Sequence, residues 1–225
     1  MEDTRRAMED TRTTAARTHF DSWSGTYERD SAARWLREVQ TAAIASLALN
    51  RHDVLLDLGC GTGAAVRDAA PEVARAVGFD LSPGMIAQAR ERANASELGN
   101  VEFLEADVSG TLPFEDQAFT AVLCTTAFHH FPRPQETIAE LHRVLGPGGR
   151  IVIADANRRH PAVFVLDLAL RVSQPSHVGF RSPGQLMHDL IAAGFAGASY
   201  CTIWWRSYAF VRAERARPSA APELP

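Results

Sequence analysis

The chain has 225 residues, 46% of them hydrophobic, and a formal net charge of -4, which suits one sizeable α/β domain with small additions and is too short for two of that kind. All 23 basic residues are arginine, so lysine Schiff-base and lysine-nucleophile mechanisms are excluded, and the arginines lack the dense clustering that a nucleic-acid backbone would favour. No apolar run reaches the length of a membrane span, the N-terminus is charged where a signal peptide is apolar, and Cys60, Cys124 and Cys201 form no C-x-x-C pair, so a cytoplasmic chain without membrane insertion, disulfide framework or zinc site is expected.

Residues 1–16 hold a near-repeat, MEDTRRA followed by MEDTR, with hardly any apolar side chains, and predict a mobile or loosely helical arm. Phe20, Trp23 and Tyr27 then recur at helical spacing ahead of an amphipathic run over Ala32 to Leu49. Val54 to Leu58 reads as a buried strand that ends in the loop Gly59-Cys60-Gly61-Thr62-Gly63, where glycines permit a sharp turn and close approach of backbone to a ligand. The loop also fits the dinucleotide pattern through Gly59, Gly61 and Ala64. Asp57 argues against that ligand: a pyrophosphate about 4 Å away would be repelled by roughly 4 kcal/mol at an effective dielectric near 20, whereas a cation would be attracted.

Ala64 to Ala70 predicts a helix that Pro71 breaks, and Val73 to Phe79 a second strand ending in Asp80. An acid at that tip suits the two hydroxyls of a ribose. Ser82 followed by Pro83 is a helix cap, which leaves Asp80 to the ligand. A third strand, Val101 to Leu104, delivers Asp107 to the same edge as Asp80 and Gly59. The fourth, Phe119 to Cys124, runs into His129 and His130 where the strand order should reverse, and histidine is well suited to take a proton near neutral pH. A helix over Pro134 to Leu145, a Gly146-Pro147-Gly148-Gly149 turn and a fifth strand over Arg150 to Ala154 follow. An apolar helix over Pro161 to Val172 precedes a polar loop to Ser182 and a further helix over Pro183 to Ala193. Two β segments, Gly197 to Trp205 and Arg206 to Arg212, precede a Pro- and Ala-rich tail expected to be disordered over 214–225.

The segments DLGCGTG, GFDLSPGM, ADVSGTLPF and RVLGPGG, in this order, resemble the class I S-adenosylmethionine (SAM)-dependent methyltransferases, in particular the small-molecule branch of the ubiquinone and menaquinone methyltransferases. The resemblance runs from about Phe20 to Arg212. It implies a Rossmann-like, seven-stranded, mostly parallel sheet with helices on both faces and a C-terminal antiparallel hairpin, spanning 17–213 with cap elements at 17–50 and 157–182. The cofactor-binding set it implies is Asp57, Gly59, Cys60, Gly61, Gly63, Asp80, Leu81, Met85, Asp107, Val108 and Cys124. Leu81 and Met85 flank the adenine, while Asp107 and the Val108 backbone meet its polar edge. Trp23 and Tyr27 are lid residues by the same resemblance, and Val163, Phe164, Leu168 and Phe180 an apolar lining of the acceptor pocket. Thr120 departs from the aspartate usual at that place, at the strand end opposite the active-site edge, where a change of local capping is expected.

The function expected is methyl transfer from SAM to an O, N or C nucleophile on a small, apolar or aromatic molecule, with His129 or His130 as base where the acceptor arrives protonated, and with no metal. A SAM-binding protein without catalysis and a NAD-dependent oxidoreductase are the rival readings. Arsenite methylation is disfavoured because the three cysteines fall in the glycine loop and in predicted strands.

Overall fold

The computed structural model describes residues 2–29, 31–108 and 110–217. Among these, a seven-stranded sheet has the order β3-β2-β1-β4-β5-β7-β6, built from β1 (Val54–Leu58), β2 (Arg75–Asp80), β3 (Val101–Glu105), β4 (Phe119–Thr125), β5 (Leu145–Ala156), β6 (Phe195–Ile203) and β7 (Tyr208–Arg215). The first five strands pair in parallel, and β7 runs antiparallel between β5 and β6.

Apolar residues fill consecutive positions in β1 and β4 because successive side chains enter different cores. Leu55, Ala121 and Leu123 meet Val39, Ala43 and Leu47 of α2 (Ser31–Leu47) and Ala65 and Ala69 of α3 (Ala64–Ala69). Leu56, Leu58, Val122 and Cys124 meet Ile138 and Leu141 of α5 (Pro134–Val144) and Leu186 and Leu190 of α7 (Pro183–Ala192). Between them in sequence lie α4 (Pro83–Ala95) and α6 (Pro161–Ser173). Parallel order sends the loops after β1, β2, β3 and β4 to one edge, and the reversal between β1 and β4 opens the crevice there.

The expected elements form, with differences at their ends. The Gly146–Gly149 turn is a bulge within β5: Leu145 pairs with Phe119 and Arg150 with Ala121, so the intervening residues are looped out of register. At the N-terminus, α1 runs over Glu2–Trp23 and so passes through residue 16. The C-terminal strand continues through Arg215, whose guanidinium donates to the carbonyls of His142, Arg143 and Leu145. The predicted tail beyond residue 217 lies outside the described residues. At the far end of β4, Thr120 donates its hydroxyl to Asp53 at 2.7 Å and accepts the Val54 N–H at 3.0 Å, so it closes the turn before β1 well away from the crevice.

Gly63 shows how tightly this frame is set. It caps α3 with φ 74°, and a Cβ there would lie 2.5 Å from the Phe103 ring and 3.0 Å from Ala89. The left-handed backbone and the overpacking each cost about 1–3 kcal/mol. Gly63→Ala is expected to lower the melting temperature by roughly 5–15 °C; a thermal scan showing less than about 2 °C would mean that Phe103 moves aside freely.

Candidate functional site

At the carboxyl edge, the loop after β1 is drawn against the end of β2. The N–H groups of Gly59 and Cys60 both donate to the Phe79 carbonyl, at 2.7 and 3.1 Å. Gly59 has φ 75°, and a Cβ there would stand 2.5 Å from that of Ala127, so glycine is required for the β1 and β4 loops to meet. Gly61 has φ 53° with open space around its missing Cβ, and its N–H donates to Asp80 at 2.8 Å.

An inner cavity opens over these loops. Gly59, Cys60, Gly61, Asp80, Leu81, Met85, Asp107 and Val108 all line it, with Thr125 to Ala127 and His130 from the loop after β4. Eight of the eleven residues in the implied cofactor set are therefore brought together. Gly63 and Cys124 are not: Gly63 faces Phe103, and Cys124 is wholly buried in the core beneath β4.

Asp57 is the eleventh, and it lies beneath the loop. It is buried, and its Oδ1 has no hydrogen-bond partner. It does not cap α3, whose cap is Gly63. Burial, then the neighbouring Asp80 carboxylate, push its pKa up to about 7. Asp80 accepts from Gly61 through one oxygen and from the Ser82 N–H through the other, at 2.8 and 2.9 Å; burial nevertheless raises its pKa. Ser82 caps α4 as expected by accepting the Met85 N–H at 3.1 Å. Among the described residues, no arginine lines this cavity. His130, its one basic side chain, has a pKa well below the ordinary value because it is buried and stands beside His129.

The N-terminal segment covers the edge. Thr13, Ala16 and Phe20 of α1 join the cavity wall, and the Phe20 ring meets His130 edge to face at 5.0 Å. Asp21 accepts the Gly84 N–H at 2.9 Å and the Ser82 hydroxyl at the start of α4. Glu28, in the short turn Tyr27–Arg29, accepts the Thr62 hydroxyl at 2.6 Å and pairs with Arg67 and Arg92. Tyr27 lines the cavity, and burial, then Asp80, raise its hydroxyl to about 12.

Beyond His130 lies a second, outer cavity. Phe20, Trp23 and Tyr27 line it with Leu36, Thr126, His129, His130, Leu170 and the 173–176 loop. Trp23 and Tyr27 thus stand over the crevice. Phe164 and Leu168 do not line it: they are 44% and 48% exposed on the outer side of α6, and Phe164 lies under the Arg158 guanidinium. The helix is oriented by Asp167, which turns inward, so Leu170 reaches the cavity in their place. Val163 and Phe180 are buried, the latter against the rings of His129 and His177 at 4.6 and 4.7 Å.

The sequence did not show how the histidines are held. Asp155, at the end of β5, accepts both the His129 N–H and its Nδ1–H, at 3.0 and 2.9 Å. That fixes the tautomer and leaves Nε2 with its lone pair. His130 donates Nδ1–H to the Ser176 carbonyl at 2.9 Å. Asp155 is 26 residues from His129; only the β4–β5 pairing brings them together.

Residues 56–153 match the family model described as a methyltransferase domain. The demethylmenaquinone methyltransferase of Thermus thermophilus is 44% identical over 104 residues, 45% of this chain and 46% of that protein. That of Clavibacter sepedonicus is 36% identical over 142 residues, 60% of this chain and 56% of its own. The chain spans about half the length of these curated relatives. Among solved structures, the methyltransferase in complex with the Haloferax volcanii Trm112 activator superposes with a TM-score of 0.76 at 20% identity, over 88% of this chain and 98% of that one, which shows the shared fold.

Asp57 carries a pH dependence whose sign is fixed. Its folded-state pKa of about 7 lies above the ordinary carboxyl value of 3.8, so between these the native state holds a proton that the unfolded chain has lost. The group therefore removes stability as pH rises from about 4 to about 7. Relative to Asp57→Asn, the ligand-free wild type is expected to lose several degrees of melting temperature between about pH 5 and pH 8. Parallel profiles for the two proteins would show that Asp57 titrates as it does when unfolded.

Proposed function

We propose that the chain, which carries a class I SAM-dependent methyltransferase domain of the quinone methyltransferase-like kind, transfers a methyl group to an O, N or C nucleophile on a small, mostly apolar or aromatic molecule. The observation that carries this is the charge of the inner cavity. Asp80 and Asp107 line it, the unpartnered Oδ1 of Asp57 lies beneath, and among the described residues no arginine enters. A pyrophosphate would be repelled there, which argues against NAD, whereas a ligand bearing a sulfonium and an ammonium without phosphate is attracted.

The residues present fit that ligand. The Asp80 oxygens accept from the Gly61 and Ser82 N–H groups, and a carboxylate's several lone pairs leave capacity for ribose hydroxyls. Leu81 and Met85 offer apolar contact to the adenine, Asp107 and the Val108 backbone meet its polar edge, and Gly59 and Gly61 allow the backbone to come close. Asp57, beneath the glycine loop, attracts the positive charge of the amino-acid portion from below. Bound there, SAM supplies a methyl group already activated on sulfur, so the protein's task is chiefly alignment, which can lower a barrier by up to about 7–11 kcal/mol.

The acceptor occupies the outer cavity, between the aromatic side chains of α1 and the histidine loop. Its lining by Phe20, Trp23, Leu36 and Leu170 favours a neutral molecule, since an unpaired charge buried there would cost several kcal/mol. Where the nucleophile arrives as a hydroxyl, His129 takes its proton at Nε2 while Asp155 holds the other face of the ring. His130, kept neutral by burial, lines both cavities and positions the reacting atoms. Segment α1, with the turn at Tyr27, acts as the lid.

By calorimetry, Asp80→Ala is expected to weaken SAM about ten- to a hundred-fold, through loss of charge-assisted bonds, and NAD is expected not to bind. Affinity within twofold of wild type would remove Asp80 from the site. A panel of candidate acceptors, starting with demethylmenaquinone because the relatives bear its name, is to be assayed by release of S-adenosylhomocysteine. With a hydroxyl acceptor, His129→Ala should lower turnover by roughly a hundredfold at unchanged SAM affinity. Asp155→Asn should shift the pH profile of turnover, an effect that loosened packing alone would not produce. Full activity in His129→Ala would leave alignment as the whole mechanism.

A further inference from the structure

Helix α6 exposes an apolar face to solvent. Of its thirteen residues, Pro161–Ser173, only Val163 and Asp167 are buried. Phe164, Val165, Leu166, Leu168 and Val172 are exposed, Val165 at 65% and Val172 at 89%. A surface helix ordinarily carries charge on its wet side. The charged residues of α6 are Asp167 and Arg171, and Asp167 is fully buried, accepting from Arg158, Arg171, His177 and the Phe180 N–H. The helix therefore turns its one acid inward and its apolar residues outward.

The surroundings add positive charge and an aromatic ring. Between Ala156 and His188 the sequence contains no acid other than Asp167, while Arg159 and Arg171 are exposed. Beside the start of α6 lies the turn Trp204–Arg206, tied to it by Asn157, which donates to the carbonyls of Arg206 and Ser207 at 2.8 Å. Three consecutive left-handed residues, Trp204, Trp205 and Arg206 with φ 48°, 58° and 73°, place Trp205 93% in solvent. Such a backbone costs about 1–2 kcal/mol per residue, and no packing of the Trp205 ring offsets it.

We propose that the outer face of α6, with Trp205 and its flanking arginines, docks on an anionic lipid surface. An apolar stripe seated at the acyl boundary, cations at the headgroups and a tryptophan between them is the arrangement an interfacial helix uses. A second copy of the chain fits less well: a two-fold contact across α6 would set Arg159 against its own copy with no acid between Ala156 and His188 other than the buried Asp167 to meet it. A nucleic acid would leave the stripe in water. The C-terminal part of α6 and the loop after it form a wall of the outer cavity, so docking sets the mouth of that cavity beside the lipid. The proposal rests on the surface alone and stands apart from the methyl-transfer reading.

The test is co-sedimentation of the full chain with phosphatidylglycerol or phosphatidylcholine vesicles. Binding to phosphatidylglycerol should be at least about tenfold tighter and should weaken in about 0.5 M salt. Val165→Ser/Leu168→Ser/Val172→Ser and, separately, Arg159→Gln/Arg206→Gln, which leave the donors to Asp167 in place, should abolish it. Both variants change exposed side chains, and unaltered melting temperature and SAM affinity would confirm that they fold. Absence of binding to phosphatidylglycerol, or equal binding to both lipids, would overturn the proposal. So would sedimentation velocity showing a wild-type dimer that the serine variant converts to monomer, since a second copy would then cover the face.

Discussion

The site depends on a carboxylate held where water cannot reach all of it. Asp57 occupies the last turn of a buried parallel strand, with one oxygen unpartnered and with Asp80 close enough to raise its pKa further. Parallel strands deliver their loops to one edge, so the acids after β1, β2 and β3 are gathered there rather than spread over the surface. The cations nearby are engaged elsewhere. Arg67 and Arg92 are taken by Glu28, and Arg17 by Glu105. The negative charge of the cavity is thus left for a ligand to neutralise.

The N-terminal segment is fastened unevenly, and that unevenness decides which part can open. The turn at Glu28 is bound by a 2.6 Å hydrogen bond to the glycine loop and by two arginines. Farther back, α1 is held by Asp21 at the start of α4, by the edge of Phe20 on His130, and by the Arg17–Glu105 pair, whose side chains are about 40% exposed. An exposed pair of that kind contributes about 0–1 kcal/mol. The helix should therefore swing away on the Tyr27 turn as its hinge, exposing the inner cavity while Glu28 keeps the glycine loop in shape.

The architecture and the gathering of three acids and a glycine loop at one sheet edge were legible in the sequence because both rest on local rules. Strands ending in Asp57, Asp80 and Asp107, glycines between β1 and α3, and Ser82 before Pro83 are each readable within a few residues. What failed or was invisible depended on distant contacts. The three loop glycines look alike in sequence, yet Gly59 answers to Ala127, Gly61 to Asp80 and Gly63 to Phe103. The assignment of Phe164 and Leu168 to the acceptor pocket assumed that apolar residues in an insertion face inward. The helix is instead turned by Asp167, whose donors come from Arg158, His177 and Phe180 as well as from its own Arg171. Asp155 escaped notice because nothing near it in sequence resembles a histidine partner.

That same Asp167 cluster explains how a helix with so little buried apolar surface keeps its place beside the histidine loop. Removing one donor from a fully buried carboxylate costs more than an ordinary hydrogen bond contributes, so four donors converging on it hold the insertion without a hydrophobic core beneath. The held loop then meets the histidine segment directly. The Val178 and Gly179 N–H groups donate to the His129 carbonyl at 2.9 and 3.1 Å, and the rings of His177 and Phe180 stand 5.3 and 4.6 Å from that of His129. His129 is thus gripped on one side by Asp155 at the end of β5 and on the other by the insertion. The insertion has a double role in this arrangement: its inner surface fixes the orientation of an imidazole, and its outer surface is left to carry apolar side chains that the fold itself does not require.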